Sequence, residues 1–160
     1  MKYSLLFILS IFIFSCSFNK EVKSSGELAL QGKWEEDTVK NKLQLVSYQQ
    51  HFLTFTCDSF YLQLHSYSTI NLQGGKCYDA KDWLEFAKGY YKMAKDTLKM
   101  EGNFVNEDFK YKAEGSCYRT GKYIENFILT QQNDSTVILK SLQTGLSHQL
   151  LLKQKLTCNN

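Results

Sequence analysis

The chain contains no proline and only one arginine, Arg119, among its 160 residues. Proline lacks the amide donor that other residues supply, so its absence leaves every segment free to form a central strand. Alanine, the strongest helix former, is scarce. Tyrosine and phenylalanine are abundant, with 10 and 11 copies, and such a composition favours strands over helices.

The charged residues give no sign of a nucleic-acid partner. Lysine and arginine together number 19 and aspartate and glutamate 16, and the two signs are interleaved along the chain. A protein that binds nucleic acid needs a clustered basic face. We therefore expect no nucleic acid among the partners.

The first residues have the pattern of an export signal. Lys2 precedes an almost unbroken apolar run over residues 5–14, which is shorter than the roughly 20 apolar residues that span a bilayer. A positive start, a short apolar core and a small residue before the cleavage point are typical of a secretory signal peptide. We predict that residues 1–15 are removed and that Cys16 becomes the first residue of the mature chain.

The cleavage point itself, Ile13-Phe14-Ser15-Cys16, resembles the lipobox of bacterial lipoproteins, in which the cysteine thiol is lipid-modified. The resemblance implies lipidation at Cys16 and a membrane-anchored protein of the cell envelope. Ser17 is not the aspartate associated with inner-membrane retention, which favours the outer membrane. Residues 16–27 are mostly polar and are predicted to be a lipidated tether, followed by one folded domain over residues 28–160.

Apolar and polar residues alternate over most of this domain, which is the pattern of strands with one buried face. The alternation predicts nine short strands, one of them over residues 109–117. Three hairpins are expected at Asp58-Ser59, Asp96-Thr97 and Asn133-Asp134-Ser135, because an aspartate side chain there can bind the amides of the turn. We predict an all-β fold, an antiparallel up-and-down barrel of eight to nine strands, since closure removes exposed sheet edges.

The start of the first strand carries a family resemblance. Gly32-Lys33-Trp34 resembles the Gly-x-Trp motif of lipocalins, and Gly89-x-Tyr91 followed by Asp96-Thr97-Leu98 is similar to lipocalin-like domains of bacterial lipoproteins. The likeness in spacing covers residues 30–155. It implies that Trp34 packs across the closed end of the barrel and makes Arg119 a candidate for the arginine that lies against this tryptophan. It also implies binding of small apolar molecules inside the barrel or of proteins at its rim.

Two functions remain open at this point. The first is binding of a small apolar or amphipathic ligand inside the barrel; the second is an envelope interaction or inhibitor protein, with a packed barrel and contacts made by its loops. An eight-stranded barrel is only just wide enough to fill itself or to hold one small ligand. Small residues leave some room: Gly89, Gly102, Ala113 and Gly115. The residues predicted to line the interior are Trp34, Phe55, Leu62, Leu64, Tyr91, Met100, Phe104, Phe109, Tyr111 and Leu152.

The three histidines, His51, His65 and His148, lie on different predicted strands or flanks, without a second histidine at ligand spacing. A zinc site needs three or four converging ligands. We therefore predict surface or rim positions for the histidines and no metal site.

Motifs that carry catalysis are missing. No Gly-x-Ser-x-Gly elbow occurs, and Gly74-Gly75 lacks the Lys-Ser pair of a phosphate-binding loop. The residues do not support a fumarate hydratase: the iron-free form uses a Met-Pro-x-Lys-x-Asn motif, and the iron-sulfur form needs cysteine ligands in a reducing compartment. We predict a protein without enzymatic activity and without a cofactor.

Besides Cys16 the chain has four cysteines, Cys57, Cys77, Cys117 and Cys158. An even number in an exported chain predicts two disulfides. A disulfide needs α-carbons within about 7 Å, and counting strand reversals puts Cys57 with Cys117 at one end and Cys77 with Cys158 at the other. We predict these two pairs, while the long loop over residues 68–82 could instead fold down the barrel and carry Cys77 to Cys57 or Cys117.

Overall fold

A computed structural model describes residues 26–39, 42–71, 73–113 and 115–158. Every strand pairs antiparallel with the next one along the chain, and the last returns to the first, so the sheet is a closed up-and-down barrel. This confirms the all-β barrel, with eight strands. They are β1 Gly32–Glu36, β2 Ser47–Thr56, β3 Ser59–Ser68, β4 Asp82–Ala94, β5 Thr97–Val105, β6 Lys122–Asn133, β7 Thr136–Ser141 and β8 Ser147–Lys155.

Helical structure in the described ranges is limited to single 3-10 turns, such as Lys42–Gln44 and Lys76–Tyr78. No helix of this part of the chain has the length and apolar character to cross a membrane. The predicted signal peptide of residues 1–15, the predicted lipidation site Cys16 and the predicted tether up to residue 25 lie outside the described residues.

The barrel has two different ends. One end, the closed end, carries the tight turns after β2, β4 and β6 and is crossed by the segment before β1, where Leu30 and Gln31 are buried. Trp34 is also buried, and its indole Nε1 donates to the carbonyl oxygen of Leu30 at 2.7 Å. The opposite end, the open end, carries the longer connections over residues 69–81, 106–121 and 142–146.

The apolar core fills the barrel from the closed end. Inward side chains of all eight strands contribute, because positions two apart in a strand point to the same face. Seven of the ten predicted lining residues belong to it, and an eighth, Leu152, packs against it; the seven are Trp34, Phe55, Leu62, Leu64, Tyr91, Met100 and Phe104. Most of these core side chains are fully buried, which is worth about 1.5–3 kcal/mol for each large one.

The glycines that were expected to leave room inside do not do so. Gly89 and Gly102 are register partners on β4 and β5. A Cβ atom on Gly89 would lie 2.1 Å from the carbonyl oxygen of Glu101, and one on Gly102 would lie 2.0 Å from that of Lys88. The two strands therefore approach so closely that only glycine fits, and the space is taken by backbone.

The predicted strand over residues 109–117 is wrong. Residues 106–113 and 115–121 form a loop, with one isolated bridge between Val105 and Tyr111. β5 already pairs with β6, so a closed barrel has no free edge there. The Asn106 side chain accepts from the amide of Lys110 at 2.8 Å and fixes a tight turn instead.

Two predicted lining residues lie in this loop, outside the barrel. Phe109 has a left-handed φ of 56°, which a strand residue does not adopt. Its ring packs on the outer face against Tyr61 and Phe86, with centroids 5.1 and 5.7 Å apart. Tyr111 is 72% exposed. The expectation that Phe109 and Tyr111 line the interior is therefore wrong.

The four cysteines form two disulfides, as predicted, but the predicted pairing is wrong. The bonds are Cys57–Cys158, with α-carbons 5.2 Å apart, and Cys77–Cys117, with α-carbons 5.4 Å apart. Because the strand over residues 109–117 does not form, the chain reverses once less often than expected. Cys117 stays at the open end with Cys77, and Cys158 arrives at the closed end with Cys57.

Candidate functional site

A cavity of about 600 Å³ lies at the open end of the barrel. Its wall begins where the apolar core stops. On every strand except β5, an inward position that follows core residues toward the open end is polar; we call these residues the polar layer: Glu36, His51, Ser66, Glu85, Glu125, Ser141 and His148. On β6 the buried Tyr123 lies beyond Glu125, again as part of the core; on the other strands of the layer, the interior changes from apolar to polar between one inward residue and the next.

Three members of the polar layer meet on neighbouring strands. Glu36 ends β1, which lies between β2, the strand of His51, and β8, the strand of His148. The Nδ1 atom of His51 is 2.7 Å from Oε2 of Glu36, and the Nδ1 atom of His148 is 2.8 Å from Oε1. The backbone amide of His51 also donates to Oε2 at 2.8 Å. One carboxylate therefore bridges two imidazoles.

This bridge fixes the tautomers of both histidines. Burial by itself would raise the pKa of Glu36, but the hydrogen bonds from His148 and His51 outweigh it and lower the pKa to about 2. Burial lowers the pKa of His51, despite its bond to Glu36. An ionised carboxylate only accepts, so each Nδ1 carries the donated proton, and in the neutral form of each ring the lone pair lies on Nε2.

A second charged group lies at the same level. Arg119, from the loop between β5 and β6, donates from Nε to Oε1 of Glu85 and from Nη2 to Oε2, both at 2.8 Å. Trp83 adds a bond from its indole Nε1 to Oε2 at 3.1 Å. Burial would raise the pKa of Glu85, yet the bonds and charge of Arg119 lower it. Arg119 is thus bound at the open end and lies over the ring of Phe104 at 4.7 Å, rather than against Trp34 as the resemblance implied.

The Cys77–Cys117 bond holds two loops together beside this ion pair. Each cysteine is followed by a tyrosine, Tyr78 and Tyr118, and both rings pack on Trp83, with centroids 5.4 and 6.2 Å away. Tyr78 and Trp83 line the cavity. The disulfide therefore fixes one aromatic wall of the cavity mouth.

The other side of the mouth is aliphatic. Leu45, Ile70 and Leu146 line the cavity and are 39%, 54% and 61% exposed; we call these three residues the aliphatic rim. They come from three different connections at the open end. A cavity with an aliphatic rim and a polar floor matches a molecule with an apolar part and a polar part.

The residues predicted to line the barrel interior are not the residues that line the cavity. The eight residues correctly predicted to lie inside pack against one another, and none of the ten predicted residues lines the cavity. The surface or rim placement of the histidines is wrong for His51 and His148, whose side chains are 11% and 12% exposed. It holds for His65, which lies beside Asp82 with 38% of its side chain exposed.

The alternation did contain a signal for this site. His51 shares the inward face of its strand with Leu53 and Phe55, so its place inside the barrel could have been predicted. Its convergence with His148 brings the two rings to 4.1 Å between centroids. The ligand atoms of Glu36, His51 and His148 all lie within 4.8 Å of one another, which is a spacing that can hold a metal ion.

Comparison of the chain with family models, with curated proteins and with solved structures finds no match in any of the three.

Proposed function

We propose that this protein is an exported, lipid-anchored binding protein of the lipocalin-like kind, which takes a small amphipathic ligand into the open end of its barrel. In this proposal residues 1–15 are a removed signal peptide, Cys16 carries the lipid, and residues 16–27 tether the barrel to the outer membrane. The bound ligand is held without chemical conversion.

The cavity is the observation that carries the proposal. Its volume of about 600 Å³ falls in the range of small-molecule sites, about 300–1,000 Å³. The sequence left the choice between apolar and amphipathic ligands open, and the polar floor favours the second. A purely apolar molecule would strip water from Glu36 and Glu125 without offering them a hydrogen bond, which costs free energy.

The ligand's two parts have distinct contacts. Its polar group would face the polar layer, where Ser66 and Ser141 add hydroxyl groups beside the charged residues. Its apolar part would cover the aliphatic rim, whose exposed leucine and isoleucine side chains have no apolar cover of their own. Burial of such surface contributes about 25 cal/mol per Å².

A set of matched ligands tests this proposal. A fluorescent fatty acid, the fatty amine with the same tail and the parent hydrocarbon should bind with different affinities, the hydrocarbon at least tenfold more weakly than the better of the other two. Leu45→Glu, on the aliphatic rim, should weaken binding, whereas Leu84→Glu, on an outward position of β4 with nearly the same exposure, 41% against 39%, should not. Equal binding of all three ligands, or equal effects of the two variants, would contradict the proposal.

A second candidate is contact with an envelope protein through the open end. The exposed aliphatic residues favour it, because contiguous apolar surface on a folded protein marks interaction sites. Native mass spectrometry of the purified chain separates the two. A small molecule released from the barrel supports the ligand proposal, while an empty chain that also binds no member of the ligand set supports the protein partner.

A further inference from the structure

We propose that Glu36, His51 and His148 bind a divalent transition-metal ion of the zinc type at the floor of the cavity. Two imidazoles and one carboxylate are a ligand set that zinc takes in proteins, with a further position left to water or a ligand. Here the three donors converge within 4.8 Å. The inference does not depend on an organic ligand, because the three side chains alone form the site.

The three donors are held in place before an ion arrives. They stand on adjacent strands of a closed sheet, and their side chains are only 8%, 11% and 12% exposed. The end of β1 is fixed further by two bonds: Gln50 Nε2 donates to the carbonyl oxygen of Glu36 at 3.1 Å, and the amide of Asp37 donates to that of Gln149 at 2.8 Å. Ion binding therefore has little side-chain entropy to overcome.

The spacing of the donors requires a small adjustment. Ligands bonded to zinc at about 2.0–2.1 Å in a tetrahedral arrangement lie roughly 3.3 Å apart. The Nδ1 atoms of His51 and His148 are 2.7 and 2.8 Å from the Glu36 oxygens, so each imidazole must move about half an ångström from the carboxylate, while all donor distances stay within the 4.8 Å that the three residues already span. An ion placed between them takes over the position of the two Nδ1 protons, and each ring carries its proton on Nε2 instead.

The local charge suits a dication. Arg119 is occupied by Glu85 in a two-bond pair, which leaves its charge compensated. Glu36 has no arginine or lysine partner in the described ion pairs, and Glu125 lines the same cavity. A divalent ion at this site would therefore contact the Glu36 carboxylate without competition from Arg119.

Metal titration of the full chain tests the inference. The chain, purified without a polyhistidine tag and stripped with a chelator, is titrated with Zn²⁺ by calorimetry and with Co²⁺ by visible absorption. We expect one ion per chain, a Co²⁺ spectrum of low coordination number with nitrogen and oxygen ligands, and a rise in the melting temperature with Zn²⁺. His148→Ala should weaken binding at least a hundredfold and remove the thermal shift, and Glu36→Gln should do the same.

His65→Ala is the matched control, because this histidine lies outside the barrel beside Asp82 and should leave the titration unchanged. Circular dichroism of each variant in metal-free buffer checks that the barrel is folded; if His148→Ala unfolds, His148→Gln takes its place. Absence of binding by the native chain, or an equal loss in His65→Ala, overturns the inference. Binding that survives Glu36→Gln within tenfold also overturns it, since the carboxylate is then not a ligand. The fatty-ligand measurements are made in the presence of a chelator, so their outcome tests the proposed function independently of metal binding.

Discussion

Removal of either disulfide should lower the free energy of unfolding of the barrel by about 4 kcal/mol, although the two bonds close loops of different length. The sequence separation is 101 residues for Cys57–Cys158 and 40 for Cys77–Cys117. In the chain-entropy model a bond stabilises by restricting the unfolded chain, and the effect grows with the logarithm of loop length. Taken alone, the longer loop gives about 4.7 kcal/mol and the shorter about 3.9 kcal/mol.

The nesting of the bonds lowers the contribution of each one by about the same amount. Cys77 and Cys117 both lie between Cys57 and Cys158, so the inner bond already shortens the outer loop to roughly 60 residues. With the inner bond in place the outer bond contributes about 4.3 kcal/mol, and with the outer bond in place the inner bond contributes about 3.5 kcal/mol, so the two still differ by about 0.8 kcal/mol. Loss of both would remove about 8 kcal/mol, which is comparable to the whole stability of a typical domain, about 5–15 kcal/mol.

Guanidinium unfolding of paired serine variants measures these values. Cys57→Ser with Cys158→Ser, and Cys77→Ser with Cys117→Ser, should each lower the free energy of unfolding by about 4 kcal/mol, and the fourfold variant should be largely unfolded. Peptide mapping without reductant confirms which bond each variant retains. A loss below about 1 kcal/mol for the outer pair, or a mapped Cys57–Cys117 crosslink, would refute the reasoning.

Two further predictions concern the Glu85–Arg119 pair and the lipid anchor. Glu85→Gln should lower the free energy of unfolding at pH 7 by about 2 kcal/mol, less than for a fully buried pair because Arg119 is 41% exposed. Since burial raises the pKa of Glu85 but Arg119 lowers it below the usual 4.5, the stabilisation is complete above that value and is lost as the pH falls through the folded-state pKa. The difference in free energy of unfolding between Glu85→Gln and the native chain, measured by denaturant titration, should therefore become smaller in acid. A difference that stays constant with pH would contradict this. As a control, Glu101→Gln, in an exposed pair, should lower the free energy of unfolding by at most about 1 kcal/mol. Labelled palmitate should enter the protein in bacteria and be absent from Cys16→Ala, and continued labelling of that variant would exclude lipidation at this residue.

Alternation with period two was enough to predict the barrel. It places Leu53 and Phe55, or Leu62 and Leu64, on one face, and a chain of such segments joined in sequence by short turns buries these faces when the sheet closes on itself. The same alternation predicted which residues point inward on most strands, because the apolar residues of a strand mark its inner face and the polar residues its outer face.

The same pattern could not tell a strand from a loop at residues 109–117. Phe109 and Tyr111 alternate with lysines as a strand residue would, but a strand also needs a partner with free amide and carbonyl groups. β6 occupies the edge of β5, and this is a property of the whole sheet. The extra predicted strand reversed the predicted direction of every later strand. The predicted disulfide partners of Cys57 and Cys77 were wrong for this reason.

The sequence by itself determined the period of the strands, the number of cysteines available for disulfides and the side of its strand on which His51 lies. Tertiary structure alone decided that His148 lies opposite it. The two histidines are 97 positions apart on the first and last long strands of the chain, and no local pattern relates them. They meet at Glu36 because closure of the barrel places β1 between β2 and β8, so that inward side chains of the chain's beginning and end share one level of the same interior.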